Sequence, residues 1–393
     1  MRADAAEADR RHEVREAARG WQRAGAIDDT TLAKVEAAYA DDRNRLGPIF
    51  RVLVFVFTLV VLQGGLGLVG LLAGHAGETA LAFVFLLGGL GLAILTDVQI
   101  GPWRRRQGGT EPATASLAVV LVIGTATWLF ADVAKPPDRI VVDAALLLAA
   151  AVLGAAGHRW GYALFTAFSA VAAFFLLGRF PYGRLLWVIA ALVLAPLALR
   201  ASDSPDLAPS HRRSWQAVAL VALVFLYVAL HLSSWDLGLV EMLTGRWPGT
   251  PGAPRPARPF FIATTALVPV LTLAWGLRSR RRLLINLALV GLLASLVTLR
   301  FYVHVAPLWV VLVAGGGAAI LLALLLRRYL ESGAGRERGG FTAEPVFTDA
   351  EGRSTLEVAA SIASYAPAPR PVAEPGFEAG GGRSGGAGAS GNF

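Results

Sequence analysis

The sequence predicts an all-α, polytopic integral membrane helical bundle of about ten spanning helices, and three observations carry that prediction. Fifty-five per cent of the 393 residues are hydrophobic and only 16% are charged, against roughly 25% charged in soluble domains. The apolar residues fall in ten blocks, near 50–73, 79–96, 115–134, 140–156, 160–178, 184–199, 214–233, 259–277, 283–299 and 306–326, most of them close to the roughly 20 residues a span requires. Thirty-six Lys and Arg against 28 Asp and Glu leave a net charge of +8, and the arginines gather in alternate loops, as the positive-inside rule demands.

Residues 1–47 read as a cytoplasmic helical hairpin. A charged helix from Ala5 to Ala24 breaks at Gly25, and Asp28 or Asp29 caps a second helix carrying Leu32, Val35 and Tyr39. Its apolar positions are too few for independent stability, so the hairpin needs a partner helix, the bilayer surface or another copy. No apolar run follows the basic start, so no cleavable signal is expected.

Residues 48–330 form the transmembrane bundle. Gly64 and Gly67 in the first span are echoed by Gly88 and Gly91 in the second, and small residues let membrane helices approach, so these two spans are expected to pack together. Gly315-Gly316-Gly317 in the last span reads the same way. Short loops at Gly157–Arg159 and Arg278–Arg282 predict antiparallel hairpins. The 140–156 block is the weakest span, being short and carrying Asp143, which lies one i,i+4 step after Arg139 and reads as its interfacial ion-pair partner. Gln63 and Asn286 lie deeper and read as interhelical hydrogen bonds. Residues 331–393 are Gly-, Pro- and Ser-rich and predict a disordered cytoplasmic tail, with a short amphipathic helix at 356–365.

With ten spans and a cytoplasmic N-terminus, Arg104, Arg105, Arg106, Arg159, Arg200, Arg212, Arg213, Arg278, Arg280, Arg281, Arg282, Arg327 and Arg328 all fall on the inner side, and the C-terminus is cytoplasmic too. Trp103, Trp160, Trp215 and Trp275 mark the inner boundary, and Trp128, Trp187, Trp235, Trp247 and Trp309 the outer one.

Cysteine is absent, which removes disulfides, thiolate nucleophiles and Cys-ligated metals. No His-Glu-x-x-His, Gly-x-Ser-x-Gly or Walker loop occurs, so no cofactor is implied. The Arg104-Arg105-Arg106 and Arg278, Arg280, Arg281, Arg282 clusters read either as anionic-lipid contacts or as topology determinants alone. They lack interleaved aromatic platforms, so no nucleic-acid partner is implied. On the outer side, His75, Glu78, His231, Asp236, Glu241, Arg300 and His304 would make a metal, proton or polar-substrate site if they converged. Otherwise they form a solvated rim.

Trp21-Gln-Arg-Ala-Gly-Ala-Ile-Asp28 ahead of a multi-span region resembles the bacterial membrane-protein family called domain of unknown function 2157. The far end agrees: Thr298-Leu-Arg-Phe-Tyr302, Pro307-Leu-Trp309, a glycine-rich last span and Arg327-Arg328 look like that family's closing segment, with Val303 where its acidic residue would fall. The resemblance implies a bacterial cytoplasmic membrane and no established activity. Three functional readings follow. The first is a non-enzymatic scaffold, assembly or sensing component acting on protein partners through the hairpin and tail. The second is a transporter or flippase-like carrier of a small or lipidic substrate, and the third a membrane-embedded enzyme with an outer-face His/acid site.

Overall fold

The computed structural model describes residues 3–23, 25–40, 43, 45–244, 257–303, 308–332, 337–338 and 341–342. Trp247, His304, the 356–365 segment and most of the tail lie outside them. Two compact units, Met1–Leu325 and Leu326–Phe393, divide the chain.

Helices α1 (Ala3–Arg23) and α2 (Asp29–Ala38) form the N-terminal hairpin. Gly25 turns the chain with φ +72°, and the Asp28 carboxylate accepts the Thr31 N–H at 2.9 Å as the cap of α2. The apolar helices follow: α3 (Pro48–Ala73), α4 (Glu78–Ile100), α5 (Thr110–Ala134), α6 (Asp138–Trp160), α7 (Ala163–Gly178), α8 (Gly183–Ser202) and α9 (Pro209–Leu230). Two short helices, α10 (Leu232–Asp236) and α11 (Leu239–Leu243), precede α12 (Arg258–Arg278), α13 (Arg282–Val303) and α14 (Leu308–Glu331).

Among the described residues, eight helices, α3 to α6, α8, α9, α12 and α13, are long and apolar enough to cross a membrane. The block expected to be weakest, 140–156, lies inside the 23 residues of α6, which is one of the eight. The short element is α7 instead, whose 16 residues rise about 24 Å against a hydrocarbon core of about 30 Å. In the second unit, Arg327 at the end of α14 pairs with Glu331 at 2.8 Å, and Glu337–Arg338 pairs antiparallel with Phe341–Thr342.

Helices pack as sequential antiparallel pairs, α4 on α5, α6 on α7, α8 on α9 and α12 on α13. The turn between α6 and α7 is Gly161-Tyr162, two residues beyond the expected loop, with Gly161 in the left-handed region at φ +73°. Around α9 lies the main core, where Phe225 stacks on Phe174 and meets Trp187 edge-on, both at 4.6 Å between ring centres. Trp187 is fully buried rather than interfacial, and its indole N–H donates to the Phe174 carbonyl.

The first two spans do meet, with a Cβ at Gly70 standing 3.3 Å from Phe85, but the predicted glycines are not the points of close approach. A Cβ at Gly64, Gly67 or Gly91 would meet nothing within 4 Å, and one at Gly88 only Leu66 at 3.9 Å. The same holds for Gly315, Gly316 and Gly317 among the described residues. Close approach occurs at Gly89 against Leu121 and Val122 of α5, at Gly157 against Thr166, and at Gly276 against Leu284 and Ile285. Helix α3 touches α4 and α5 but keeps a largely exposed apolar surface, while the more extensive packing is α4 on α5.

Interhelical polar contacts also differ from expectation. Gln63 and Asn286 sit exposed on their helices. One polar seam is Tyr227, Thr265 and Ser295, and another joins Thr96 and Gln99 of α4 to Thr114 of α5. Pro269 inside α12 has no N–H to offer the Thr265 carbonyl one turn back, and the Ser295 hydroxyl of α13 donates to that carbonyl at 2.5 Å. Such rescue by a neighbouring helix is what allows proline in a membrane span.

Candidate functional site

At one end of the bundle, α1 lies across the helix termini through a series of charged contacts. Asp4 pairs with Arg43 at 2.8 Å, and Asp9 with Arg106 at 2.7 Å and Arg45 at 3.2 Å. Glu13 pairs with Arg212, and Arg10 donates to the Asp206 carbonyl at 2.8 Å. Small residues bring α1 close: Ala5 is buried among Ile100, Ala115, Ala156 and Trp160.

The arginines on the bundle side have a second task. Arg43 donates to the Ile100 carbonyl at the end of α4, Arg106 to the Trp160 carbonyl at the end of α6 at 2.7 Å, and Arg281 to the Leu199 carbonyl in the last turn of α8 at 3.2 Å. Each guanidinium satisfies an orphan carbonyl at the negative end of a helix dipole. Nη2 of Arg43 reaches the Asp4 carboxylate and Nε and Nη2 of Arg106 reach that of Asp9, both on α1, while Arg281 pairs with Asp203. Asp97 and Arg159 tie α4 to α6 at this same end through a 2.6 Å ion pair, with the Trp160 indole donating to Asp97 at 2.9 Å.

Arg106 and Arg281 are thus bound to protein groups rather than free for lipid, which corrects the reading of those two. Arg104, Arg105, Arg278, Arg280 and Arg282 are exposed. Asp9, Arg106 and Glu111, with at most 8% exposure, form a buried charged group, of which only Arg106 is among the residues the sequence points to. Burial alone would push the Asp9 carboxyl up, but hydrogen bonds and charge from Arg106 and Arg45 outweigh it and hold the group below the ordinary carboxylate value. Burial likewise pushes the Tyr162 phenol up.

At the opposite end the outer-face residues do not meet at one point. His75 and Glu78 sit exposed on the α3–α4 turn. His231 is buried, with Nδ1 2.8 Å from the Ser233 hydroxyl and its ring edge-on to Tyr227, and burial lowers its pKa. Asp236 faces the Tyr302 hydroxyl. Arg300, half-buried near the end of α13, makes no described contact with the other predicted members. Among the described residues no group of three or more His, Asp or Glu is placed to hold a metal ion.

Glu241 takes part in a different arrangement. Arg184, at the start of α8, makes two bonds to Glu241 at 2.8 Å, donates to the Ser234 hydroxyl at 3.0 Å and carbonyl at 2.8 Å, and lies 4.0 Å over the Trp235 ring. Beside it, Asp143 pairs with its predicted partner Arg139 at 4.0 Å and also with Arg179, which donates to the Thr244 carbonyl at 2.9 Å. Beside the Arg184–Glu241 pair opens a cavity of about 680 Å³, lined by Leu185, Val188, Leu230, Trp235, Phe260 and Phe261 together with Arg184 and Glu241.

The contacts of α1 place the C-terminal ends of α4, α6 and α8 and the N-terminal end of α9 together, while Arg179, Arg184 and Glu241 gather at the other end. The eight span-length apolar helices among the described residues and this alternation of ends fit a multi-pass membrane helical bundle. No protein family, characterised protein or solved structure matches the chain.

Proposed function

We propose that the chain is a non-enzymatic assembly or sensing component of a bacterial cytoplasmic membrane, crossing it ten times with both termini inside. In this reading it presents its N-terminal hairpin to a protein partner. The observation that carries it is the mounting of α1: buried ion pairs hold this helix on the helix ends, while α2 buries no residue and Trp21 stays 55% exposed. A helix fixed on one side and bare on the other is a presented surface. The exposed arginines at positions 104, 105, 278, 280 and 282 then face the anionic headgroups of the same leaflet, and the end-of-chain resemblance agrees with a bacterial membrane.

Crosslinked partner sets of the intact protein, of a deletion of residues 1–45 and of a deletion of residues 340–393 test this reading. The first deletion removes partners, and unchanged sets with both deletions contradict it. Reporter fusions at Gly109 and Gly252 test the topology, which requires opposite sides for the two. A carrier function is the second reading, and the outer cavity is the observation that favours it.

A further inference from the structure

We infer that the outer cavity takes one acyl chain of a zwitterionic phospholipid, which enters sideways from the bilayer between α8 and α12. The inference is independent of the hairpin reading. It stands on how the cavity is built, on how its mouth continues and on its charge.

The cavity exists because α9 stops at Leu230 and the chain continues through α10 and α11 instead of a longer span, leaving the outer ends of α8 and α12 unfilled between them. A volume near 680 Å³ falls within the range of roughly 300–1,000 Å³ that encloses a small organic ligand, and an apolar, aromatic lining with few polar groups is the usual composition of such sites. Ala229, Val240 and Phe261 at its wall are buried, so the wall is formed by the fold's own packing.

Its mouth joins two lipid-facing stripes. Leu185 on α8 shares a helical face with Ile189 and Leu192, at i+4 and i+7, and all three are more than half exposed. Phe260 on α12 shares a face with Leu267 and Leu271, at i+7 and i+11, which are likewise exposed. Both helices are long and apolar enough to span, so hydrocarbon covers these stripes and reaches the mouth without crossing water. The occupant is therefore a chain already dissolved in the bilayer.

Charge selects the headgroup. Arg184 and Glu241 are the charged residues of the lining, and they are bonded to each other. The lining carries no net charge, so a headgroup without net charge fits beside it, and a strongly anionic one gains no counter-ion there.

The test uses the full chain reconstituted in mixed phosphatidylethanolamine and phosphatidylglycerol vesicles. In separate arms the vesicles contain phosphatidylethanolamine with a photoreactive acyl chain, the matching phosphatidylglycerol, or the free fatty acid. Labelled positions are read by peptide mass spectrometry. The ethanolamine lipid is expected to label residues 182–188 and 260–261 well above the exposed α3 face around Phe57. Leu185→Trp at the rim and Val188→Trp on the wall are expected to cut cavity labelling about tenfold with α3 labelling unchanged. Leu185 is 56% exposed, so its substitution narrows the mouth without repacking the core, and an unchanged melting temperature confirms folding. Cavity labelling no stronger than that of α3, labelling insensitive to Leu185→Trp, or preference for the anionic lipid or the free fatty acid overturns the inference.

Discussion

The Arg106 guanidinium lies 2.7 Å from the carboxylate of Asp9, a residue 97 positions earlier in the chain, and both side chains are almost fully buried. This pair fastens the N-terminal helix to the ends of the membrane helices. Arg106→Ala leaves Asp9 buried with Arg45 as its remaining ion-pair partner, and removal of one member of a buried pair costs several kcal/mol. A loss of about 2–4 kcal/mol in detergent-solution stability is expected, with the Asp9→Asn, Arg106→Gln double variant less damaged than the sum of the single changes.

The same pair has a signed pH dependence. Asp9 is held below its ordinary value by Arg106 and Arg45 against the opposing effect of burial. Its contribution is full above the unfolded value near pH 4 and is lost as pH falls through the lower folded value. Acid release of α1, followed by protease access at residues 20–30, is expected only below about pH 4, and it starts at higher pH in Arg106→Ala.

Ser295 and Pro269 are coupled. Ser295→Ala strands the Thr265 carbonyl that Pro269 cannot satisfy, at an expected cost of about 1–2 kcal/mol. In a Pro269→Ala background the helix supplies its own N–H, and the cost of Ser295→Ala falls below half of that. A double-mutant cycle on thermal stability measures the difference.

Glycine substitutions separate sequence pattern from contact. Gly109 has φ +97°, and a Cβ there would stand 2.6 Å from the Arg51 carbonyl oxygen, so Gly109→Ala is expected to destabilise by about 2–3 kcal/mol. Gly64→Ala and Gly67→Ala meet open space and are expected to leave the melting temperature unchanged. Equal losses at all three positions would contradict the described packing.

The helical class and nearly all the helix positions were legible because hydropathy blocks of span length leave few alternatives, and Asp28 and Gly25 carry local capping and turn chemistry that needs no tertiary context. Partner identity was not. Arg106 looks like Arg104 and Arg105 in sequence, and only the approach of α1 and the end of α6 turns it inward. Asp143 pairs with Arg139 at helical spacing as expected, but its second partner Arg179 comes from the α7–α8 turn, which no local pattern marks. The Gly64–Gly67 pattern is as good a packing signal as Gly89, and the difference lies in which face α5 occupies. The cavity arises from where α9 ends, which hydropathy does not mark.

The central claim is that α1 is fixed to the bundle so that α2 is presented. The native chain has no cysteine, so Ala17→Cys on α1 and Arg213→Cys on α9, both exposed, accept spin labels at those two sites alone. Pulsed electron resonance in lipid nanodiscs reads their separation. A single narrow distance distribution that broadens in the Arg106→Ala background is the predicted result. A broad distribution in the otherwise native chain, or one unchanged by Arg106→Ala, would contradict the account.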